Sequence, residues 1–261
     1  MVLQQIVAHK RQELAQRKRA IPMAQLQVRS SDRRPPLDFA AALRGGGVRL
    51  IAEVKRASPS RGMLCPDGDP VDLATTYAAA GAAAISVLTE RRFFQGDLDH
   101  LARIRAALPD TPLLRKDFIL DAYQVYEAYA HGADGLLLIA AILPDGLLAE
   151  LLALAQSLGV TALVEVHDAA EVERVLHLRP RVVGINNRNL HDFSVDLATF
   201  GRLRPLLPAG VVAVAESGVH GAADVRRLGQ MGADAVLVGE ALVTAPDVAA
   251  RVRELVDGGA P

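Results

Sequence analysis

Eight short runs dominated by Val, Ile, Leu and Ala recur along the chain: "VRLIAEV", "AAISVLT", "PLLRKDF", "GLLLIA", "VTALVEV", "RVVGINN", "VVAVAES" and "DAVLVGE". Each is followed by an Ala/Leu/Arg stretch with helical spacing, the alternation expected of βα units. Eight such units suffice to close a parallel barrel, and 261 residues is a usual length for one barrel domain. The helical stretches "VDLATTYAAAGA", "AYQVYEAYAHGA" and "GAADVRRLGQMGA" reach Gly81, Gly132 and Gly232, where a helix end favours a left-handed residue. A doubly wound open sheet is the rival, but its glycine fingerprint after the first strand is missing. The expected fold is α/β, a (β/α)8 TIM barrel with an N-terminal helical extension.

The extension covers residues 1–47. It holds an amphipathic segment, "LQQIVAHKRQELAQRKR", then a Pro-containing link and "RGGG". No shift in composition separates it, so residues 1–261 are expected to form one domain. Eight Lys and Arg between Lys10 and Arg34 face only Glu13 and Asp32 there, and the run reads as a solvated helix face. A secondary reading is that it draws in an anionic substrate. The formal net charge of −1 gives no reason to expect nucleic acid or an anionic membrane as partner.

The first residues lack the continuous apolar core of a signal peptide, and the longest apolar run, "LLLIAAIL", is too short to span a bilayer. A soluble, cytoplasmic protein is expected. Cys65 is the only cysteine, which excludes an intrachain disulfide and a cysteine metal cluster; it sits in "MLCPDGD" with no evident base beside it. The seven histidines show no metal-ligand spacing, so no metal is indicated.

Charges interrupt the apolar runs in a regular way. Side chains at i and i+2 leave a strand on one face, so Ile51, Glu53 and Lys55 point together. The same holds for Leu114, Lys116 and Phe118; for Leu163, Glu165 and His167; for Gly184, Asn186, Arg188 and Leu190; and for Val214, Glu216 and Gly218. An unpartnered charge in the helix layer would cost several kcal/mol, whereas the upper rim of the lumen can hydrate and pair it. All these polar residues lie near the C-terminal ends of their runs, where barrel active sites form. Rim salt bridges that only stabilise are the alternative, but burying two Lys and three Glu for stability alone is unfavourable.

"IAEVKRASPSRG", "FFQGDLDHL", "LLRKDFILDAYQVYEA", "LVEVHD", "GINNRNL" and "AESGV", in this order over nearly the whole chain, resemble the indole-3-glycerol phosphate synthase family. The resemblance implies a barrel enzyme of tryptophan biosynthesis. Such an enzyme closes 1-(2-carboxyphenylamino)-1-deoxyribulose 5-phosphate to indole-3-glycerol phosphate, releasing CO2 and water, with no metal or organic cofactor. It implies Lys116 as general acid on the ketone oxygen and Glu165 as base in the dehydration, supported by Glu53, Lys55 and Asn186, with Ser217 in the same neighbourhood. Glu216 and Arg188 would bind substrate, and Phe94, Phe118, Leu137 and Leu190 would wall the anthranilate ring. Other enzymes of the pathway remain open as partners. Asn189 stands where the family often has Asp, Ala141 where it sometimes has Lys, and the chain has no Trp.

A phosphorylated substrate needs an anion site. Gly218 after the seventh run and Gly239 after the eighth let backbone N–H groups approach a phosphate near a helix start. Lys55 and Ser58 would close this cradle from the first strand, and Ser58 would also touch substrate. Glu240 would turn its N–H rather than its carboxylate to the phosphate. A phosphoribosylanthranilate isomerase would share the glycines but needs a Cys/Asp pair, and would leave Lys116 and Glu165 unexplained. A noncatalytic barrel that binds a phosphate ligand predicts loss of Glu53, Lys116 or Glu165, and all three are present.

Overall fold

Each of the eight apolar runs forms a parallel strand: β1 Arg49–Val54, β2 Ala84–Leu88, β3 Leu113–Lys116, β4 Gly135–Ile139, β5 Thr161–Val166, β6 Val182–Asn186, β7 Val212–Glu216 and β8 Ala235–Val238. They pair in sequence order, and β8 returns to β1 through the Arg49/Ala235 to Ala52/Val238 register, closing the expected barrel. The structure, a computed structural model, describes residues 2–30, 33–59, 61–65, 68–189 and 193–261. Among the described residues no helix is long and apolar enough to cross a membrane.

The principal outer helices are α4 Pro70–Ala79, α5 Leu98–Ala107, α6 Ala122–Ala130, α7 Asp145–Ser157, α8 Ala169–Leu176, α9 Ala198–Leu203, α10 Ala222–Gln230, α11 Glu240–Val243 and α12 Val248–Gly258. Asp69, Asp97, Asp121, Asp168 and Asp247 cap α4, α5, α6, α8 and α12 by accepting backbone N–H groups of the first turn. Each such cap contributes about 0.5–2 kcal/mol. Gly81, Gly132 and Gly232 take φ values of 103°, 93° and 88°, the left-handed ends read from the sequence.

Strand alternation sorts the side chains into two layers. Leu50, Ala52 and Val54 of β1 pack outward with the helices, while Ile51 joins Leu114, Leu163, Val182, Val214 and Leu237 inside the barrel. The floor of that inner core is α3 (Phe39–Ala42), whose Phe39 is fully buried among the inner residues. Phe39→Ala would open the floor at a cost of about 3–5 kcal/mol. A short antiparallel hairpin, Ala57–Ser58 with Gly62–Met63, follows β1.

The N-terminal residues form α1 (Val2–Ala20) and α2 (Met23–Ser30), and Leu14 and Leu26 pack with Tyr123 of α6. The basic run is a solvated face only in part: Arg11, Lys18, Arg19 and Arg34 are exposed, whereas Lys10, Arg17 and Arg33 are not. Lys10 is fully buried, with Nζ 2.8 Å from Glu13 and 3.0 Å from Asp117. Arg17 reaches Glu127 at 2.8 Å, and Arg33 reaches Asp134 at 3.2 Å. Asp117, Glu127 and Asp134 belong to the barrel, so these three cations fasten the extension to it.

Candidate active site

The C-terminal ends of β1, β3, β5 and β7 deliver the charges read from strand phase to one lumen. Lys116, the last residue of β3, places Nζ 3.2 Å from Glu216 Oε2 and 3.6 Å from Glu165 Oε2. Lys55 Nζ stands 3.1 Å from Glu53 Oε1. Asn186 Nδ2 donates to Glu165 Oε1 at 3.2 Å, and its Oδ1 accepts the Arg188 backbone N–H at 3.0 Å. Glu53, Glu165 and Glu216 are all buried. Two glycines make room for these carboxylates: a Cβ on Gly184 would run into Glu216 Oε1, and one on Gly239 would lie 2.5 Å from Glu53 Oε1.

One ammonium between two buried carboxylates pushes their titration apart. Burial opposes charge on Lys116, but Glu216, Glu165 and Glu53 outweigh it and hold the ammonium above its ordinary value. Burial raises Glu216, the charges of Glu165 and Glu53 add to this, and Lys116 only partly offsets them, leaving it at about 7. Glu165 is also penalised by burial, yet Lys116, His167 and Asn186 bring it below the usual carboxylate range. Glu216 Oε1 is buried and finds no hydrogen-bond partner among the described residues. The lumen therefore holds one firmly ionised carboxylate and one poised to take a proton.

Two lobes open onto this charge cluster. The larger, about 490 Å³, is lined by Ser217, Gly218, Gly239, Glu240 and Arg61. Ser217 and Gly218 both take positive φ, 66° and 84°, so the chain turns sharply after β7. For Ser217 this conformation stores on the order of 1–3 kcal/mol. Asn187 holds the turn by donating from Nδ2 to the carbonyls of Glu216 and Ser217 at 3.1 and 3.2 Å. Glu240 directs its carboxylate to Arg61 at 2.9 Å.

The smaller lobe, about 170 Å³, is apolar: Leu3 and Ile6 of α1, Phe94, Phe118, Leu137 and Ile139 line it. The Phe94 and Phe118 rings lie 6.1 Å apart at a tilt of 39°. Glu53, Lys55, Lys116 and Arg188 line both lobes. Ser58, expected at the glycine end, stands instead on the wall of the apolar lobe, because the hairpin after β1 folds it that way. The expectation for Leu190 lies outside the described residues.

A cleft of about 690 Å³ between the loops after β5 and β6 excludes Glu53, Lys116 and Glu216, so the pair of lobes is the better candidate site. Cys65 lines neither lobe and packs among the outer-layer residues. His9, Glu13 and Glu90 are the one His/Cys/Asp/Glu group among the described residues close enough together to hold a cation. There Glu13 already pairs with Lys10 and Arg17, and Glu90 accepts the N–H groups of Phe93 and Phe94.

Several residues of the site escaped the sequence reading. Arg61 sits in a loop, and Asn187 is out of phase with the inward residues. Leu3 and Ile6 come from a helix far away in the chain. His167 shares the phase of Glu165, a signal that was present but assigned no role.

A family model described as indole-3-glycerol phosphate synthase matches residues 3–255. An indole-3-glycerol phosphate synthase of Roseiflexus sp. (strain RS-1) is 54% identical over 265 residues, covering 98% of this chain and 98% of the relative. One from Dehalococcoides mccartyi (strain ATCC BAA-2100 / JCM 16839 / KCTC 5957 / BAV1) is 51% identical over 258 residues, covering 98% and 100%. Among solved structures, a 3-hexulose-6-phosphate synthase superposes with a TM-score of 0.65 at 19% identity, covering 81% of this chain and 99% of that one. The last likeness shows the barrel fold alone.

Proposed function

The chain belongs to the indole-3-glycerol phosphate synthase family, and on that premise we propose how its own residues close 1-(2-carboxyphenylamino)-1-deoxyribulose 5-phosphate to indole-3-glycerol phosphate with loss of CO2 and water. The observation that carries the reading is the position of Lys116, between Glu165 and Glu216 where an apolar lobe meets a glycine-lined one.

The substrate has one aromatic end and one phosphorylated end, and the two lobes match them. The anthranilate ring enters the apolar lobe, between Phe94, Phe118, Leu137 and Ile6. The phosphate enters the other lobe, where the turn at Ser217 and Gly218 and the start of α11 at Gly239 and Glu240 offer backbone N–H groups. Arg61 neutralises the Glu240 carboxylate, which removes the repulsion that side chain would otherwise bring. Lys55 and Arg188 line both lobes and bind the anionic groups. Ser58 closes the apolar side.

The ketone then lies beside Lys116. As the carboxyl-bearing ring carbon attacks it, negative charge develops on the oxygen, which the ammonium stabilises and protonates. Cleavage of the bond to the carboxylate releases CO2 and restores the aromatic ring. In the dehydration, Glu165 accepts the proton lost from the substrate and the Lys55 ammonium gives one to the departing hydroxyl, which leaves as water; proton exchange with Glu165 and solvent then restores both ammonium groups. Glu53 and Asn186 orient Lys55 and Glu165 respectively, and Glu216 holds Lys116 in place. The protein works as one barrel domain in which α1 of the N-terminal extension brings Leu3 and Ile6 to the mouth and α3 closes the floor.

Incubation of the purified protein with the carboxyphenylamino-deoxyribulose phosphate tests this. Indole fluorescence should appear above a low background, since the chain has no Trp. Absence of product would reject it.

A further inference from the structure

His167 is the first residue after β5 and keeps the inward phase of Leu163 and Glu165, yet its ring also borders the cleft outside the mouth. Nε2 stands 3.2 Å from Glu165 Oε1 and Nδ1 stands 3.1 Å from Glu171 Oε2. The same Glu171 oxygen accepts the His167 backbone N–H at 2.8 Å. Glu171 is fixed in turn by the first turn of α8, its own N–H donating to the cap Asp168 at 2.8 Å. The imidazole is thus gripped through ring and backbone by one carboxylate, and it presents its other nitrogen to Glu165.

We propose that His167 is a positioning residue for the base Glu165: clamped by Glu171, it fixes one carboxylate oxygen and leaves the other to Lys116 and the substrate. This rests on the reading of Glu165 as the base. Asn186 donates to Oε1 of Glu165, His167 Nε2 stands at ion-pair distance from the same oxygen without the alignment of a hydrogen bond, and Oε2 faces Lys116. An acceptor on each side of the ring stabilises the doubly protonated form. Burial lowers His167, but Glu165 and Glu171 outweigh it and raise it to about 10. The imidazolium then keeps Glu165 ionised although Lys116 is shared with Glu216.

The charged neighbours are few enough to assign the effect. Glu165 also faces Lys116 of β3, Glu216 of β7 and the more distant Glu53 of β1. Beside His167, the cleft holds Asp168 and Arg188, and across it Arg202 pairs with Asp196.

Three variants and one spectroscopic reading test the assignment. His167→Ala should lower kcat about 10²-fold with KM changed by less than about threefold, because a misplaced reacting group costs that much in rate. Loss of the cation raises the carboxylate, so the acid limb of the kcat profile should move upward in pH. His167→Asn keeps an N–H donor without the charge; it should recover part of kcat and retain the shifted limb. Glu171→Gln keeps the ring and should shift the limb in the same direction but less, covering the case where His167→Ala fails to fold.

Independently of turnover, ring 15N NMR should show both nitrogens protonated at about pH 8 in the wild type, and a lower ring pKa in Glu171→Gln. A neutral ring at that pH, a kcat within about threefold of wild type in His167→Ala, or a folded variant with lost rate and an unmoved acid limb would overturn the proposal. Full turnover by Glu165→Gln would instead reject Glu165 as the base, whatever the ring's charge.

Discussion

Arg115, Lys116 and Asp117 are consecutive, yet they belong to two ion networks on opposite sides of one strand. On the outer side, Arg115 and Asp117 join Lys10, Glu13, Arg17 and Glu127. Three cations meet three anions, and Thr89 adds a hydrogen bond to Asp117 at 2.7 Å. On the inner side, Lys55, Lys116 and the His167 imidazolium face Glu53, Glu165, Glu216 and Glu171, three cations against four anions, and Glu216 Oε1 is left unsatisfied among the described residues. Both networks are largely buried, with Glu13, Arg17, Lys55, Lys116, His167 and Glu171 half-buried. A matched network is a fastening, whereas an unmatched one keeps a proton and a charge available for exchange with a substrate.

The contrast can be broken most visibly from the inner side. Glu165→Gln should lower turnover about 10²–10⁴-fold, the usual scale for a positioned acid or base, and also lower the urea midpoint, because it removes a carboxylate that Lys116, His167 and Asn186 hold ionised. Single-turnover fluorescence and urea unfolding on the same preparation check both halves. From the outer side, Lys10→Met leaves Asp117 buried with only Arg115 as a cation and should cost about 3–5 kcal/mol of unfolding free energy. Because Leu3 and Ile6 ride on the same helix, KM should rise as α1 loosens, while kcat at saturation stays within a few-fold.

Gly239→Ala sharpens the inner half. The added Cβ meets Glu53 Oε1, and a crowded site of this kind costs about 1–3 kcal/mol, read as a loss in both stability and turnover. Gly239 serves the carboxylate as well as the phosphate loop.

The smallest effect concerns pH, where Glu216 of the inner network and Asp117 of the outer one have opposite signs. Glu216 titrates above its ordinary value, so its contribution to stability is full below about 4.5 and is lost as pH rises through about 7. Asp117, penalised by burial, is nonetheless held below its ordinary range by Lys10 and Arg115. Its contribution is full above that range and is lost as pH falls. Glu216→Gln should therefore flatten the decline in stability from acid to neutral pH by on the order of 1 kcal/mol, measured by urea unfolding across that window.

These networks also mark where the sequence could be read and where it could not. The eight strands and the helix-ending glycines were legible because they are local patterns of period and turn chemistry. The inner charges were legible because Glu53, Lys116, Glu165 and Glu216 share phase with apolar residues of their own strands. Arg115 and Asp117 sit one residue out of that phase, and their partners Lys10 and Glu127 come from α1 and α6, so nothing local told a fastened charge from a solvated one. Ser58 was misplaced because the hairpin after β1, not strand phase, sets its direction. The apolar contribution of Leu3 and Ile6 likewise depends on how α1 docks.

The most direct test of the inner network as the reacting set is Lys116→Met. Its single-turnover rate with the carboxyphenylamino-deoxyribulose phosphate at saturation should fall about 10²–10⁴-fold while the substrate still binds. A rate near that of the wild type would mean that the ammonium between Glu165 and Glu216 is one more fastening, and the division between the two networks would fail.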